Sequence, residues 1–189
     1  MIWDRSNVIG LAKPSCTFCH GNGMRPVLRG TATPCNCVFR AIFRACYRRF
    51  RECVVMGTQT GSVAWEICGS EEGYRIYSRK REEFIADFCL ISRRTLDDFG
   101  YKLLRYHYLL GGDCNLCCQH FHMDRGTYFH SIYRIENRLG RVFAEVKPYP
   151  LYPLNEYFGG IIRKELRKGP ATALDLFGRD VPEPLPLSA

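Results

Sequence analysis

The chain has 189 residues, enough for one compact domain or two small ones. Hydrophobic residues make up 46% of it and aromatic residues 13%, which is typical of a globular protein. It contains no run of about 18 apolar residues, and its first residues lack the apolar segment of a signal peptide. We therefore expect a cytoplasmic protein without a membrane contact.

The net charge of +8 is concentrated in the first part of the chain. Residues 1–56 contain nine Lys or Arg and two Asp or Glu, a surplus of seven. The remaining segments are close to balanced. This asymmetry predicts an anionic partner for the N-terminal segment, with nucleic acid as the leading candidate.

Four cysteines near the N-terminus have the spacing of metal ligands. Residues 1–37 are rich in Gly, Pro, Thr and Cys and lack periodicity, so they predict loops or short hairpins. Two pairs of thiolates can hold zinc tetrahedrally, and the eleven cysteines of this chain favour a reducing compartment. We therefore expect Zn²⁺ as the cofactor, with the ligands Cys16, Cys19, Cys35 and Cys37.

The second cysteine pair leaves the fourth ligand open. Only one residue separates Cys35 from Cys37, where two are usual. His20, Cys46 or Cys53 could replace Cys37. The other interpretation of all four cysteines is that they are reduced and unliganded.

The segment Cys16-Thr-Phe-Cys-His-Gly-Asn-Gly23 is similar to the cysteine-rich repeat of J-domain chaperones and to the zinc motifs of some phage antitermination proteins. The resemblance covers about eight residues. It implies that Gly21 and Gly23 let the backbone turn around the metal and donate amides toward sulfur.

A helix is predicted over residues 38–55. Its apolar side consists of residues at helical spacing, namely Phe39, Ile42, Phe43, Cys46, Phe50 and Cys53. The opposite side carries an arginine row, namely Arg40, Arg44, Arg48 and Arg51. Only Glu52 offers local neutralisation, so we interpret the row as a surface for DNA or RNA. An acidic protein partner and an ordinary solvated face are the alternatives.

A connector is predicted over residues 57–73, with a short strand at about 62–67. A second helix is predicted over 74–91, and its inward residues are Tyr77, Phe84, Ile85 and Phe88. Ser92 is the expected cap of the element that follows.

Residues 113–139 have the pattern of a helix-turn-helix. Asp113 follows two glycines and Asp124 follows a polar break, and aspartate is a preferred N-cap residue. The second helix has a predicted buried stripe of Phe129, Ile132, Ile135 and Leu139. The residues that we expect to contact DNA are Arg125, Thr127, Tyr128, Ser131, Arg134 and Arg138. A polar face that starts at a helix N-terminus suits reading of the major groove.

Residues 92–158 resemble the region-4-like DNA-binding domain of sigma factors and their phage-borne relatives. The resemblance rests on Leu96-Asp-Asp-Phe-Gly-Tyr-Lys-Leu-Leu-Arg-Tyr-His-Tyr-Leu-Leu-Gly111 as a supporting helix, on the two helices above, and on the ending Ile135-Glu-Asn-Arg-Leu-Gly140. It covers roughly a third of the chain. It implies binding of double-stranded DNA and a role in transcription control.

The first helix of the motif contains a second group of potential ligands, namely Cys114, Cys117, Cys118, His120 and His122. A second metal site is one interpretation. Because this helix must pack closely, we instead interpret its cysteines as small buried side chains and the two histidines as surface or turn residues.

The C-terminal part is predicted to be irregular. Three prolines within residues 147–158 exclude a helix or a central strand, so this segment is interpreted as a proline-aromatic strap. Residues 161–168 predict a short helix.

The predicted organisation is therefore a mostly α protein with a zinc-binding basic module at 1–56, a connector at 57–73, a helix-turn-helix domain with strap at 74–168 and a flexible tail at 169–189.

No catalytic motif is found, whether a glycine-rich phosphate loop, His-Glu-x-x-His or Gly-x-Ser-x-Gly, and we do not expect an enzyme. The favoured function is a sequence-specific DNA-binding transcription regulator with a zinc module. One alternative is a phage-type antitermination factor that binds RNA polymerase through the strap at 148–158. The other is a zinc-stapled adaptor protein whose helix-turn-helix serves only for packing.

Overall fold

The computed structural model describes residues 3–25, 32–58 and 71–159. Its elements in chain order are α1 (Arg5–Val8), a 3-10 turn (Ile9–Leu11), β1 (Met24–Arg25), β2 (Thr33–Pro34), α2 (Asn36–Thr58), α3 (Glu71–Thr95), α4 (Asp98–Leu104), a π-helical turn (Arg105–Leu109), α5 (Cys114–Phe121), α6 (Arg125–Glu145) and α7 (Leu154–Tyr157). The predicted mostly α class is confirmed. The predictions for residues 62–67, 161–168 and 169–189 lie outside the described residues.

The only sheet within the described ranges is a small antiparallel hairpin of β1 and β2. Met24 pairs with Pro34 and Arg25 with Thr33. This agrees with the short hairpins predicted for residues 1–37, whereas the helical segment formed by α1 and the 3-10 turn was not predicted. The hairpin brings the segment before it close to the start of α2.

Helix α6 lies at the centre of the fold and contacts α2, α3, α4 and α5. All six residues of the predicted apolar side of α2 are buried. Phe43 of α2 packs 6.2 Å from Phe143 of α6 and 6.4 Å from Phe88 of α3, measured between ring centroids. One hydrophobic core therefore includes residues from both of the predicted modules.

The helices α2 and α6 approach each other most closely at Gly140. A Cβ atom at this position would overlap the carbonyl oxygen of Phe39 and would lie 2.6 Å from its carbonyl carbon. Because the obstacle is backbone, a larger side chain could be accommodated only by moving the helices apart. Gly140 thus sets the spacing between α2 and α6.

Substituting Gly140 by alanine should destabilise the protein, although alanine is the better helix former. We expect a loss of at least about 1–3 kcal/mol in the free energy of unfolding, since overpacking a well-packed core costs this much. Urea denaturation measures it. Gly10→Ala, in the 3-10 turn Ile9–Leu11, is the control because a Cβ atom there would meet no atom within 4 Å. Equal effects at the two positions would contradict the close helix contact.

The strap folds back onto the end of α6. The backbone N–H groups of Leu151 and Tyr152 donate to the carbonyl oxygen of Phe143. Leu151 and Phe158 are buried in the core. The Tyr157 hydroxyl donates to Asp87 of α3 over 2.7 Å, so the strap connects α6 with α3.

One predicted cap is wrong. Ser92 lies inside α3 and is buried, because this helix continues to Thr95. The cap of the next helix, α4, is Asp97, whose carboxylate accepts from the N–H of Gly100. Ile85, predicted to face inward, is half-buried. In the described parts of the chain, no helix has the length and apolarity needed to cross a membrane.

Candidate metal centre and helix-turn-helix surface

The four predicted cysteines come together at the start of α2. Their sulfur atoms all lie within 4.8 Å of one another. The Sγ–Sγ distance is 3.7 Å between Cys16 and Cys35 and 3.5 Å between Cys19 and Cys37. A tetrahedron with Zn–S bonds of about 2.3 Å has edges of about 3.8 Å, so the set has the size of a tetrathiolate metal site.

The loop that contains Cys16 and Cys19 turns through left-handed backbone positions. His20, Gly21 and Gly23 have positive φ angles. The N–H of His20 donates to the carbonyl of Cys16 over 2.8 Å, and the N–H of Cys35 donates to that of Gly23 over 2.8 Å. A Cβ atom at Gly23 would lie 2.8 Å from the Cγ2 atom of the buried Val8 and 3.0 Å from its carbonyl oxygen, so glycine is favoured there by space as well as by conformation.

Helix α2 supplies the other two ligands from its N-terminus. Cys35 directly precedes the helix and accepts the N–H of Val38 at its carbonyl oxygen. Cys37 is the second residue of the helix. The partial positive charge of a helix N-terminus favours thiolates, so this position suits metal ligation.

The protonation of Cys16, Cys35 and Cys37 depends on backbone amides and on burial. The backbone N–H groups of Phe18 and Cys19 donate to the Cys16 sulfur and lower its pKa to about 6. Burial raises the pKa of Cys35, and it raises the pKa of Cys37 to about 12. Cys35 and Cys37 therefore favour the thiol form at neutral pH in the absence of a cation, and a bound cation would favour their thiolates.

The structure places Cys37 as the fourth member of the set. Among the described residues, this is the one group of His, Cys, Asp or Glu side chains with metal-binding geometry. Cys46 and Cys53 are buried on the core side of α2, and His20 is exposed. The alternatives to Cys37 are therefore not supported by the geometry.

The two helices predicted within residues 113–139 are present as α5 and α6. Asp113 accepts from the N–H of Leu116 over 2.8 Å, and Asp124 accepts from that of Thr127 over 2.9 Å. Both predicted caps are confirmed. His122 takes a left-handed conformation, and the three residues 122–124 separate the helices, which is the usual length of this turn.

Most of the predicted contact residues lie on the outer face of α6. Arg125, Thr127, Arg134 and Arg138 are exposed, and Ser131 is half-buried. His130 and Arg141 also lie exposed on this face and were not predicted. Helical spacing could have identified them, since His130 stands four residues before Arg134 and Arg141 stands seven residues after it.

Tyr128 corrects the predicted set. It is buried, and its hydroxyl lies 3.2 Å from Nδ1 of His107. Burial raises its pKa to about 12. Tyr128 stands four residues before Ile132, so it belongs to the apolar stripe, whereas Phe129 is only half-buried. The inward-facing side chain is not available to a groove.

The arginine row of α2 is partly neutralised. Arg40 and Arg44 form ion pairs with Glu136 of α6, at 2.6 Å and 2.9 Å, and Tyr108 donates to the same carboxylate over 3.0 Å. Glu136 is buried, and the ion pair raises the pKa of Arg44. The prediction that only Glu52 neutralises the arginine row is therefore wrong for Arg40 and Arg44, which pair with Glu136.

The far end of the row remains outside this network. Arg48 and Arg51 are exposed on α2. The neighbouring Arg49 is instead buried, and it donates to the hydroxyl of Tyr77 and pairs with Glu52. The exposed part of the predicted basic face is thus smaller than the sequence pattern indicated.

Replacing Glu136 with alanine should destabilise the fold by about 2–3 kcal/mol, because three donors lose one buried charged acceptor. The loss should stay below that of a fully buried ion pair, since the side chains of Arg40 and Arg44 remain 26% and 57% exposed. Urea denaturation of the metal-loaded protein tests this. Glu82→Ala, at an exposed position of α3, should change the free energy of unfolding by less than about 0.5 kcal/mol. Similar values for both variants would show that the Glu136 network has no stabilising role.

The cysteines of the second group differ in burial. Cys117 is buried, with its sulfur 3.7 Å from the carbonyl oxygen of Gly112, while Cys114 and Cys118 are half-buried. His120 is exposed and stacks on the Tyr106 ring. The described segments contain no second group with ligand geometry. The interpretation of these cysteines as buried side chains holds for Cys117, whereas Cys114 and Cys118 are only partly buried.

In comparisons with known proteins, no family model, no curated protein and no solved structure matches this chain. The similarity to sigma region 4 and to zinc knuckles stays a prediction from the residues.

Proposed function

We propose that the protein is a zinc-containing, sequence-specific DNA-binding regulator of transcription in which α6 reads the major groove. The observation that carries this proposal is the outer face of α6. Arg134 and Arg138 are exposed one turn apart, and among the described residues no carboxylate lies within ion-pair distance of either. An arginine held on a helix without a protein partner can donate to guanine edges or phosphates.

The contrast with α2 supports this assignment. Arg40 and Arg44 pair with a buried carboxylate and stabilise the fold, whereas Arg134 and Arg138 pair with no carboxylate of the described residues. Thr127 stands at the N-terminal end of the same face, next to the capped turn. Residues near the N-terminus of the second helix are those that contact bases in helix-turn-helix proteins.

We propose Zn²⁺ for the tetrathiolate because zinc prefers four sulfur ligands in tetrahedral geometry. With four protein ligands, no coordination position is left for water or substrate, which is typical of a structural site. Its task would be to fix the basic N-terminal segment against α2. The metal centre would then contribute non-specific affinity through the surrounding positive charge.

Duplex binding over a series of salt concentrations tests the function. The zinc-loaded full chain should bind labelled duplex DNA, and the logarithm of the binding constant should fall linearly with that of the salt concentration. An absence of duplex binding at physiological salt would contradict the proposal.

A second candidate is the adaptor, which would bind another protein. The observation that favours it is an aromatic cluster at the surface of α4 and α5. Phe99 is 44% exposed and packs 5.8 Å from Phe121, which lies 5.7 Å from Tyr106. Capture of a protein partner by the full chain, lost on Phe99→Ser, together with no duplex binding would favour this candidate. Capture of RNA polymerase that survives Phe99→Ser would favour the antitermination alternative, which uses the strap.

A further inference from the structure

The metal-binding loop exposes an aromatic side chain at its tip. Phe18 stands between the ligands Cys16 and Cys19, and 65% of it is exposed. The Arg25 guanidinium lies 4.9 Å from the centroid of its ring. The backbone N–H of Phe18 donates to the Cys16 sulfur, so the backbone of this residue belongs to the metal-binding loop. The exposed ring is accessible to a partner.

A shallow pocket of 330 Å³ adjoins the ring. Its walls include Phe18, His20, Asn22, Met24 and Arg25. This volume lies at the lower end of the range for small-ligand sites, which begins at about 300 Å³. His20 and Asn22 are exposed, and the side chains of both lack a hydrogen-bond partner among the residues that the structure describes. The pocket thus combines an apolar wall with polar groups that are available to a ligand.

We propose that this pocket receives an unpaired nucleobase of a single-stranded nucleic acid. The ring of Phe18 supplies a stacking surface, Arg25 supplies a cation for the phosphate, and His20 and Asn22 supply donors and acceptors for the base edge.

Charge favours a polyanion as the occupant. Residues 5–51 contain no Asp or Glu, so a nucleic-acid strand that reaches the pocket meets no acidic side chain from this segment. Phe18 cannot stack on a base inside a duplex, because neighbouring base pairs cover the faces of that base. The site therefore gives the protein a contact with single strands that is separate from duplex reading by α6.

The test is binding of fluorescein-labelled 12-nucleotide DNA and RNA single strands to the zinc-loaded full chain, measured by anisotropy. Phe18→Ala should weaken binding by roughly 5- to 150-fold, the effect of losing one stacked base. Phe18→Trp should preserve it, because tryptophan also stacks. Arg134→Ala should leave single-strand binding unchanged, and Phe18→Ala should leave duplex binding unchanged. These two variants separate failure of this site from failure of the proposed duplex function.

Metal analysis of each variant is the folding control. If Phe18→Ala keeps its zinc and binds single strands as tightly as the parent does, the proposal is overturned. If Phe18→Ala loses zinc, Arg25→Ala decides, since it lies outside the Cys16–Cys19 loop and should also weaken binding. Unchanged binding by Arg25→Ala would then overturn the proposal.

Discussion

Replacing Cys16 and Cys19 together with serine is expected to release the metal completely and to unfold the loop around it. The free energy of zinc binding to such sites is about 10–16 kcal/mol, and in small zinc modules it is the free energy that maintains the fold. Residues 13–25 bury few side chains of their own, so they have little else to hold their shape. Helices α2, α3 and α6 should stay folded, because aromatic contacts such as those of Phe43 with Phe88 and Phe143 join them without the four cysteines.

Metal analysis and hydrogen exchange measure this outcome. The parent should carry about one zinc per chain, and the double variant none. Amide protection should be lost in the loop and retained in α6. Cys89→Ser, which alters a half-buried cysteine of α3 outside the cluster, should keep the metal. Retention of zinc by the double variant, or an equal loss in the control, would contradict the assigned ligand set.

Removing Arg134 and Arg138 together should abolish most of the sequence preference without unfolding the protein. If each arginine contacts a base, each substitution by alanine costs about 1–3 kcal/mol of binding to the preferred site. Both side chains are exposed, so the free energy of unfolding should change by less than about 0.5 kcal/mol per substitution. Competition binding between the preferred and random duplexes measures the change.

Two controls separate reading from packing and from charge. Arg94→Ala removes one exposed positive charge from α3 and should leave the choice of sequence intact. Ile132→Ala removes a buried side chain from the opposite face of α6. It should lower the free energy of unfolding by about 2–5 kcal/mol and leave the base preference of the folded protein unchanged. A double arginine variant that binds every duplex as well as the parent would favour the adaptor function.

The features that could be predicted from the sequence are those decided locally. Asp113 and Asp124 cap their helices because a carboxylate at the start of a helix can accept from its free N–H groups. This contact does not depend on tertiary packing. The apolar side of α2 follows from helical spacing in the same way. Cys16 and Cys19 could be recognised because a short spacing constrains the loop between the ligands.

Contacts between distant segments could not be predicted. Glu136 looks like a surface residue in the sequence, and its burial depends on Arg40 and Arg44, which stand more than ninety residues earlier. Tyr128 is different, since its spacing from Ile132 already indicated the buried face. Glu136 could therefore be identified as the partner of Arg40 and Arg44 only from the tertiary structure, whereas the burial of Tyr128 could have been predicted from the sequence.

The most direct test of duplex reading by α6 is selection of bound sequences from a random duplex pool, performed in parallel with the parent and with Arg134→Ala. The account predicts that the parent enriches a defined motif and that the variant enriches the same motif with relaxed choice at one base position. Enrichment of no motif by the parent, or of an identical motif by the variant with undiminished affinity, would contradict it.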